Sequence, residues 1–470
     1  MGAAGNDETA AKKSEPQSTD SILSAATGSK KEAELLEELQ KACESVNESR
    51  KNNGSDLNLD ALLGVEKRAR LAGEVAVVVK AANAVVEACR EATAWEELNR
   101  MVALLCKRRH QFRQVQSKVV VTCAQYVDEM EASGVHRATR RSLIEALRNV
   151  SEGKLFVEVE RARLTMKLAQ MEEADGNVAE AATILQEEQV ETYGAMTKRE
   201  KYNFILEQMR LCLAKKDYVR AYIIAKKIAT SSLEEARMED LKIRYYELMI
   251  RYYTVERDAL ELAKAHAEIY NSEGVRADEA KWKEALSSTA LYIALSPFDN
   301  HQMDMLHRTI KDKRLPQLPV YHELLLLFRR REIIQWPLAN QEALFGHAVL
   351  SGMNEDGELD WKTTLHDRVV EHNIRVVAEY FSSIKVSRLA TFLQLPDDET
   401  ERYVSQMVTS KLMPLFARID RPAGVISFTP QKSANDHLTE WAGDISTLLN
   451  LVEKTCHVID KEETMHKVGR

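Results

Sequence analysis

Three cysteines, Cys89, Cys106 and Cys123, recur at 17-residue intervals. Regular thiols suggest a metal or redox centre. Zinc sites and dithiol motifs, however, need two cysteines separated by two to four residues. None of the six cysteines, which include Cys43, Cys212 and Cys456, has such a neighbour. They read instead as small apolar residues on successive helices in a reducing compartment. Glu371-His372-Asn373 could support acid–base chemistry. His366 and His372 lie six residues apart, which does not place both on one helical face. The polar trio is expected to bond across the junction between two subdomains. Arg329-Arg330-Arg331 and the basic run 107–113 (KRRHQFR) could hold phosphate, but read as solvated faces. The chain contains no Gly-x-x-x-x-Gly-Lys-Ser/Thr loop, no Gly-x-Gly-x-x-Gly fingerprint, and no His-Glu-x-x-His or His-x-His pair. No catalytic residue, cofactor or metal is expected, and enzymatic function ranks last.

The elements that carry these residues are mainly helical. No proline lies between Pro16 and Pro297, whereas seven follow Pro297. Proline costs about 3 kcal/mol in a helix interior, so the gap permits a long helical array. Ile205, Leu206, Met209 and Leu213 recur at helical spacing. A faint repeat links 176–185, 216–225 and 257–266, with Asn177, Asp217 and Asp258 as expected helix caps. The run from Ala94 to Leu98 falls about two such periods upstream of Asn177. A period near 40 suits stacked helix pairs. The fold class expected is mostly α: a right-handed, TPR-like helical-repeat solenoid, then a winged helix and a long C-terminal helix.

The expected divisions are a disordered 1–30, a helical arm over 31–250, a module over 251–432 and a C-terminal helix over 433–470. A loop is expected at Lys51–Ser55, and 354–360 is expected to separate shorter helices. The N-terminus has no apolar segment of a secretory signal. The apolar run 74–89 carries Lys80 and is too short to span a bilayer. A net charge of −8 gives no global attraction to nucleic acid or anionic membrane. A soluble protein of cytoplasm and nucleus is expected.

Within the module, 368–381 reads as a helix, followed by short helices around Val386–Leu395 and Pro396–Lys411. Ser383 is expected to cap the first short helix. Tyr403, Val404, Met407 and Val408 are expected to form the apolar face of the second. A two-strand ribbon over 415–420 and 424–428 completes a winged-helix order. Such modules read DNA through the second short helix. Here Asp397, Asp398, Glu399 and Glu401 outnumber the cations on that helix. DNA affinity rests on neutralising phosphates, so protein assembly is the favoured use. The candidate interface comprises Phe416, Arg418, Val425, Ile426 and Phe428 on the ribbon. Leu438, Trp441, Ile445, Leu448, Val452 and Ile459 extend it as a near-heptad stripe on the last helix.

Helical repeats leading through EHNIRVVAEYFSSI (371–384) to IDRPAGVISF (419–428) resemble the PCI-domain family. The proteasome lid, the signalosome and translation initiation factor three share that domain. The runs 153–169, 185–196, 205–228 and 292–300 resemble its proteasome-lid branch. The resemblance spans about residue 60 to the end. It implies a non-catalytic scaffold, joined to neighbours through its winged helix and a bundle of C-terminal helices. The implied partners are other PCI subunits of the lid, its deubiquitinating metalloprotease subunit, the ATPase ring and the core particle. A signalosome subunit and a nucleic-acid-binding protein are the alternatives.

Overall fold

One kind of turn joins successive helices along the chain. The computed structural model describes residues 32–46, 59–132, 137–351, 361–409, 416–429 and 433–468. At Gly73, Thr93, Gly176, Lys216 and Arg257 the backbone adopts positive φ. In each case the next amide donates to the carbonyl five residues back. These bonds run from Glu74 to Ala69, Ala94 to Cys89, Asn177 to Glu172, Asp217 to Cys212 and Asp258 to Tyr253. This is the long bond of a Schellman helix end. Glycine enters the left-handed region freely, but Thr93, Lys216 and Arg257 occupy it against a steric cost. What repeats is therefore the turn geometry and not the residue type, which is why the sequence repeat is faint.

The turns join helix pairs in register. Glu158–Ala174 precedes Val178–Gln186, and Lys198–Ala214 precedes Tyr218–Ala225. Glu239–Glu256 likewise precedes Ala259–Asn271. Asp217 and Asp258 accept bonds from the first amides of their helices. Asn177 does not; its amide donates to Glu172 instead, which corrects the expected cap.

The chain divides into two compact units, the first ending at Leu241 and the second beginning at Lys242. In the first, Val75–Glu91 buries Val77, Val78, Ala81, Ala82, Val85, Val86 and Cys89. Cys106 and Cys123 join the same core. Burial pushes the Cys89 and Cys106 thiols up to about 11 and raises that of Cys123 further, so all three stay protonated and unreactive. In the second unit, Glu279–Leu295 is buried on every side from Ala285 onward. A helix without a polar face belongs at the centre of its domain, and the surrounding helices pack onto it.

The winged helix follows. The helix Trp361–Tyr380 leads into strand β1, Ser383–Lys385. Short helices Val386–Leu393 and Asp397–Thr409 come next, then β2 (Arg418–Asp420) and β3 (Val425–Ser427). The sheet has three strands in the order β1-β3-β2, all antiparallel, not the two expected. Ser383 is therefore a strand residue and not a cap; the helix begins at Val386 without a side-chain cap. Leu389, Leu393, Val404, Met407, Ile384 and Ile426 form the module's core. Thr400 is buried there too, whereas Val408 faces out. The readings made for 1–30, 51–55, 354–360 and Leu415 lie outside the described residues.

Candidate functional site

The residues singled out for chemistry serve the fold. Glu66 is fully buried and accepts from Arg70 at 3.2 Å, from Gln111 at 3.2 Å and from Arg108. Arg108 and Gln111 of the run 107–113 thus satisfy a buried carboxylate, since an unpaired charge there is costly, while Lys107, Arg109, His110 and Arg113 are exposed. Arg331 pairs with Glu379.

Asn373 holds the Ile334 peptide at both ends: its Oδ1 accepts from the Ile334 amide and its Nδ2 donates to the Ile334 carbonyl, each at 2.8 Å. The His372 Nε2 lies 3.2 Å from the Glu332 carbonyl, and its ring meets Phe328 edge-on. Burial lowers His372 to about 4, so it stays neutral at pH 7. Glu371 pairs with Arg368 at 2.6 Å. Arg375 lies over the Phe298 ring at 3.7 Å, and burial lowers its guanidinium to about 10. His372 and Asn373 tie the segment around Ile334 to the lead helix Trp361–Tyr380, whereas Glu371, expected to bond across with them, pairs within that helix. Among the described residues, no group of three His, Cys, Asp or Glu side chains could hold a metal ion. No described helix is long and apolar enough to cross a membrane.

Two surfaces remain as candidate contact sites. The first is the small sheet. Its middle strand is β3, so the outer edges belong to β1 and β2. Ile426 pairs across to both Ile384 and Ile419 and is fully buried. Phe428 is also buried in the module's core. These two expected interface residues therefore hold the winged helix together, because alternate residues of the middle strand point inward. Val425 is half-buried. Phe416 and Arg418 are exposed on the β2 side. Arg421 to Gly424 form the turn, with Gly424 at positive φ.

The second surface is the helix Ala434–Val468, 35 residues long. It extends about 52 Å at 1.5 Å per residue. Ser433 and Asp436 start it with reciprocal bonds: the Ser433 hydroxyl accepts from the Asp436 amide, and the Asp436 carboxylate accepts from the Ser433 amide. Every residue from Ser433 to Lys467 is exposed. Leu438, Trp441, Ile445, Leu448, Val452 and Ile459 are all among them. With Thr455 these positions alternate steps of three and four, the spacing of a coiled-coil seam. Leu449, Leu451 and Val458 widen the stripe.

Comparison with known proteins shows the family to which the chain belongs. Residues 58–278 match the family model for the PSMD12/CSN4 N-terminal region, and 339–430 match the PCI domain. Residues 435–467 match the C-terminal domain of 26S proteasome regulatory subunit RPN5. An Arabidopsis thaliana protein named 26S proteasome non-ATPase regulatory subunit 12 homolog B is 39% identical over 444 residues, covering 88% of this chain and 97% of the relative. The Dictyostelium discoideum subunit 12 is 37% identical, covering 95% of this chain and 98% of the relative. The Saccharomyces cerevisiae regulatory subunit RPN5 is 36% identical, with 88% and 92% covered.

The chain belongs to the subunit 12/RPN5 family of 26S proteasome regulatory subunits.

A Drosophila melanogaster protein named COP9 signalosome complex subunit 4 is more distant, at 25% identity over 67% of this chain. The RPN5-family match includes the exposed C-terminal helix as a domain of its own. The sequence pattern found this helix through its spacing. It missed β1, which is too short for any periodicity, and although it expected Asn373 to bond across a junction it could not name Ile334, 39 residues away, as the partner.

Proposed function

We propose that this chain is a non-catalytic structural subunit of the 26S proteasome regulatory particle lid. There it scaffolds lid assembly for ubiquitin-dependent protein degradation. The observation that carries this reading is the helix Ala434–Val468: a fully exposed apolar seam in the region matched by the RPN5 C-terminal domain. A lone helix of this kind gains most of its stability from packing its apolar face. Helices from other lid subunits are the partners it fits. The winged helix joins neighbouring PCI subunits through the outer strands of its sheet, and the helical arm meets the ATPase ring and core particle. The lid's deubiquitinating metalloprotease performs the chemistry, and this chain positions it without a cofactor of its own.

The first turn of the helix Asp397–Thr409 carries Asp397, Asp398 and Glu399, which disfavours DNA in the groove-reading position. Membership of the signalosome has weaker support, since the relative named for it is the more distant one. The proposed location is cytoplasm and nucleus. Purification of the tagged chain from gently lysed cells tests the proposal. Lid subunits and ubiquitin-cleaving activity should co-purify in stoichiometric amounts. Recovery with signalosome subunits, or as a lone monomer, contradicts it.

A further inference from the structure

The turn-and-helix pairs in the first unit provide an internal comparison. Residues 175–187 and 215–227 superpose in register with a shift of 40, since Gly176 and Lys216 occupy the same left-handed position and Val178 and Tyr218 begin the same helix. In the earlier pair the outward positions carry Asp175, Gly176, Ala179, Glu180, Thr183 and Glu187. In the later pair the same positions carry Lys215, Lys216, Val219, Arg220, Ile223 and Lys227. Three carboxylates are replaced by cations, and two small or polar residues by branched aliphatics. Gln186 likewise becomes Lys226.

The change of charge has no counterpart in the core. Ala181 and Ala221 are both fully buried, and Leu185 and Ala225 both face inward. The inward positions also differ, with Ala182 matched by Tyr222 and Leu185 by Ala225, but they stay uncharged, so the reversal of charge is confined to the solvent side. Val219 is 73% exposed and Ile223 is 55% exposed. Among the described residues Lys215, Lys216 and Lys226 form no ion pair. Lys226 lies over the Tyr222 ring at 4.3 Å. Arg220 is held by Asp217 at 3.4 Å and Gln186 at 2.6 Å, and Lys227 by Glu191 at 2.7 Å. Beside Ile223 an open pocket of about 230 Å³ is lined by Arg220, Ile224, Lys227, Gln186, Gln208 and Glu188, the last already paired with Arg161. It is large enough to take an aliphatic or aromatic side chain.

The geometry points to 215–227 as a docking surface for an acidic peptide segment of a partner protein, with an apolar side chain seated beside Ile223. Charge complementarity selects the acidic partner, because unpaired lysines ring the patch. Nucleic-acid bases stack on aromatic or guanidinium planes, but here Lys226 lies over the Tyr222 ring and Arg220 is held by Asp217 and Gln186, so the most exposed apolar groups are the aliphatic Val219 and Ile223, which favour a polypeptide. The surface is independent of the family assignment, since its evidence is the contrast between two pairs of one chain.

Fluorescence anisotropy with the full-length chain tests it. The probes are a labelled dodecapeptide of alternating glutamate and leucine, an oligoglutamate of the same charge, and a single-stranded oligonucleotide. The expected result is that the glutamate–leucine peptide binds most tightly. Lys215→Glu with Lys226→Glu should weaken it by roughly tenfold, and Val219→Ser with Ile223→Ser by a similar factor. Ala179→Ser with Thr183→Ser, the equivalent change in the earlier pair, should leave binding unaltered. All substituted side chains are solvent-facing, and circular dichroism confirms that each variant is folded. Equal affinity for oligoglutamate, tighter binding of the oligonucleotide, or indifference to either 215–227 variant overturns the proposal.

Discussion

Asn373 shows how one side chain can join two segments. A carboxamide presents a donor and an acceptor with the spacing of a peptide group, so it matches the Ile334 amide and carbonyl as a strand neighbour would. Asn373→Ala should cost about 2 kcal/mol, since two buried peptide groups lose their partner. Asn373→Asp should cost more, because a carboxylate cannot donate to the Ile334 carbonyl. Urea unfolding of the full chain measures both, and equal stability of the two variants would contradict the clamp. Histidines add a pH dependence. His266 stacks on Tyr292 beside His347, and burial lowers it to about 4, as it does His372. Their folded values lie below the ordinary 6.5. The unfolded chain therefore takes up protons first as the pH falls. The stability from neutral burial is complete above 6.5 and is lost as the pH drops through that window, by on the order of 3 kcal/mol per histidine. A His266→Gln, His372→Gln variant should show a flatter profile between pH 4 and 6.5. An unchanged slope would locate the acid sensitivity elsewhere.

At the scale of elements, β3 is the residue run whose role changed most between pattern and structure. Along the ribbon's first strand Ala417 and Ile419 turn toward the core and Phe416 and Arg418 toward solvent, as strand alternation requires. Alternation could not reveal that β1 occupies the other side of β3, because three residues joined directly to a helix carry no period. Once β3 is central, Ile426 is a core residue. Ile426→Ala should then cost about 3 kcal/mol and loosen the winged helix. Proline at this position would remove a ladder donor from the middle strand and report on folding, not on docking. Unfolding followed by near-ultraviolet circular dichroism checks the alanine variant; a loss under 1 kcal/mol would place Ile426 outside the core. The helix pairs were legible for a different reason. Their lengths and spacing follow from apolar periodicity, whereas Thr93, Lys216 and Arg257 in left-handed turns have no sequence signal. The cap expected at Asn177 failed because its amide found Glu172 within reach.

At the scale of the whole molecule, absence of motifs narrowed the function classes and resemblance supplied the assembly. One arginine of each basic run pairs with a carboxylate, the other cations of those runs are exposed, and the three regularly spaced thiols lie in a core. The exposed seam of Ala434–Val468 remains, and in the assembly proposed above other helices cover it. The central claim is that this helix secures the chain in its complex. The direct measurement is subunit stoichiometry after affinity purification, comparing the full chain with one lacking 437–470. Circular dichroism should show the truncated chain folded with its helical content reduced only by the missing segment. The account predicts that the full chain brings down the other lid subunits and that the truncation is recovered alone. Normal incorporation of the truncated chain would contradict it.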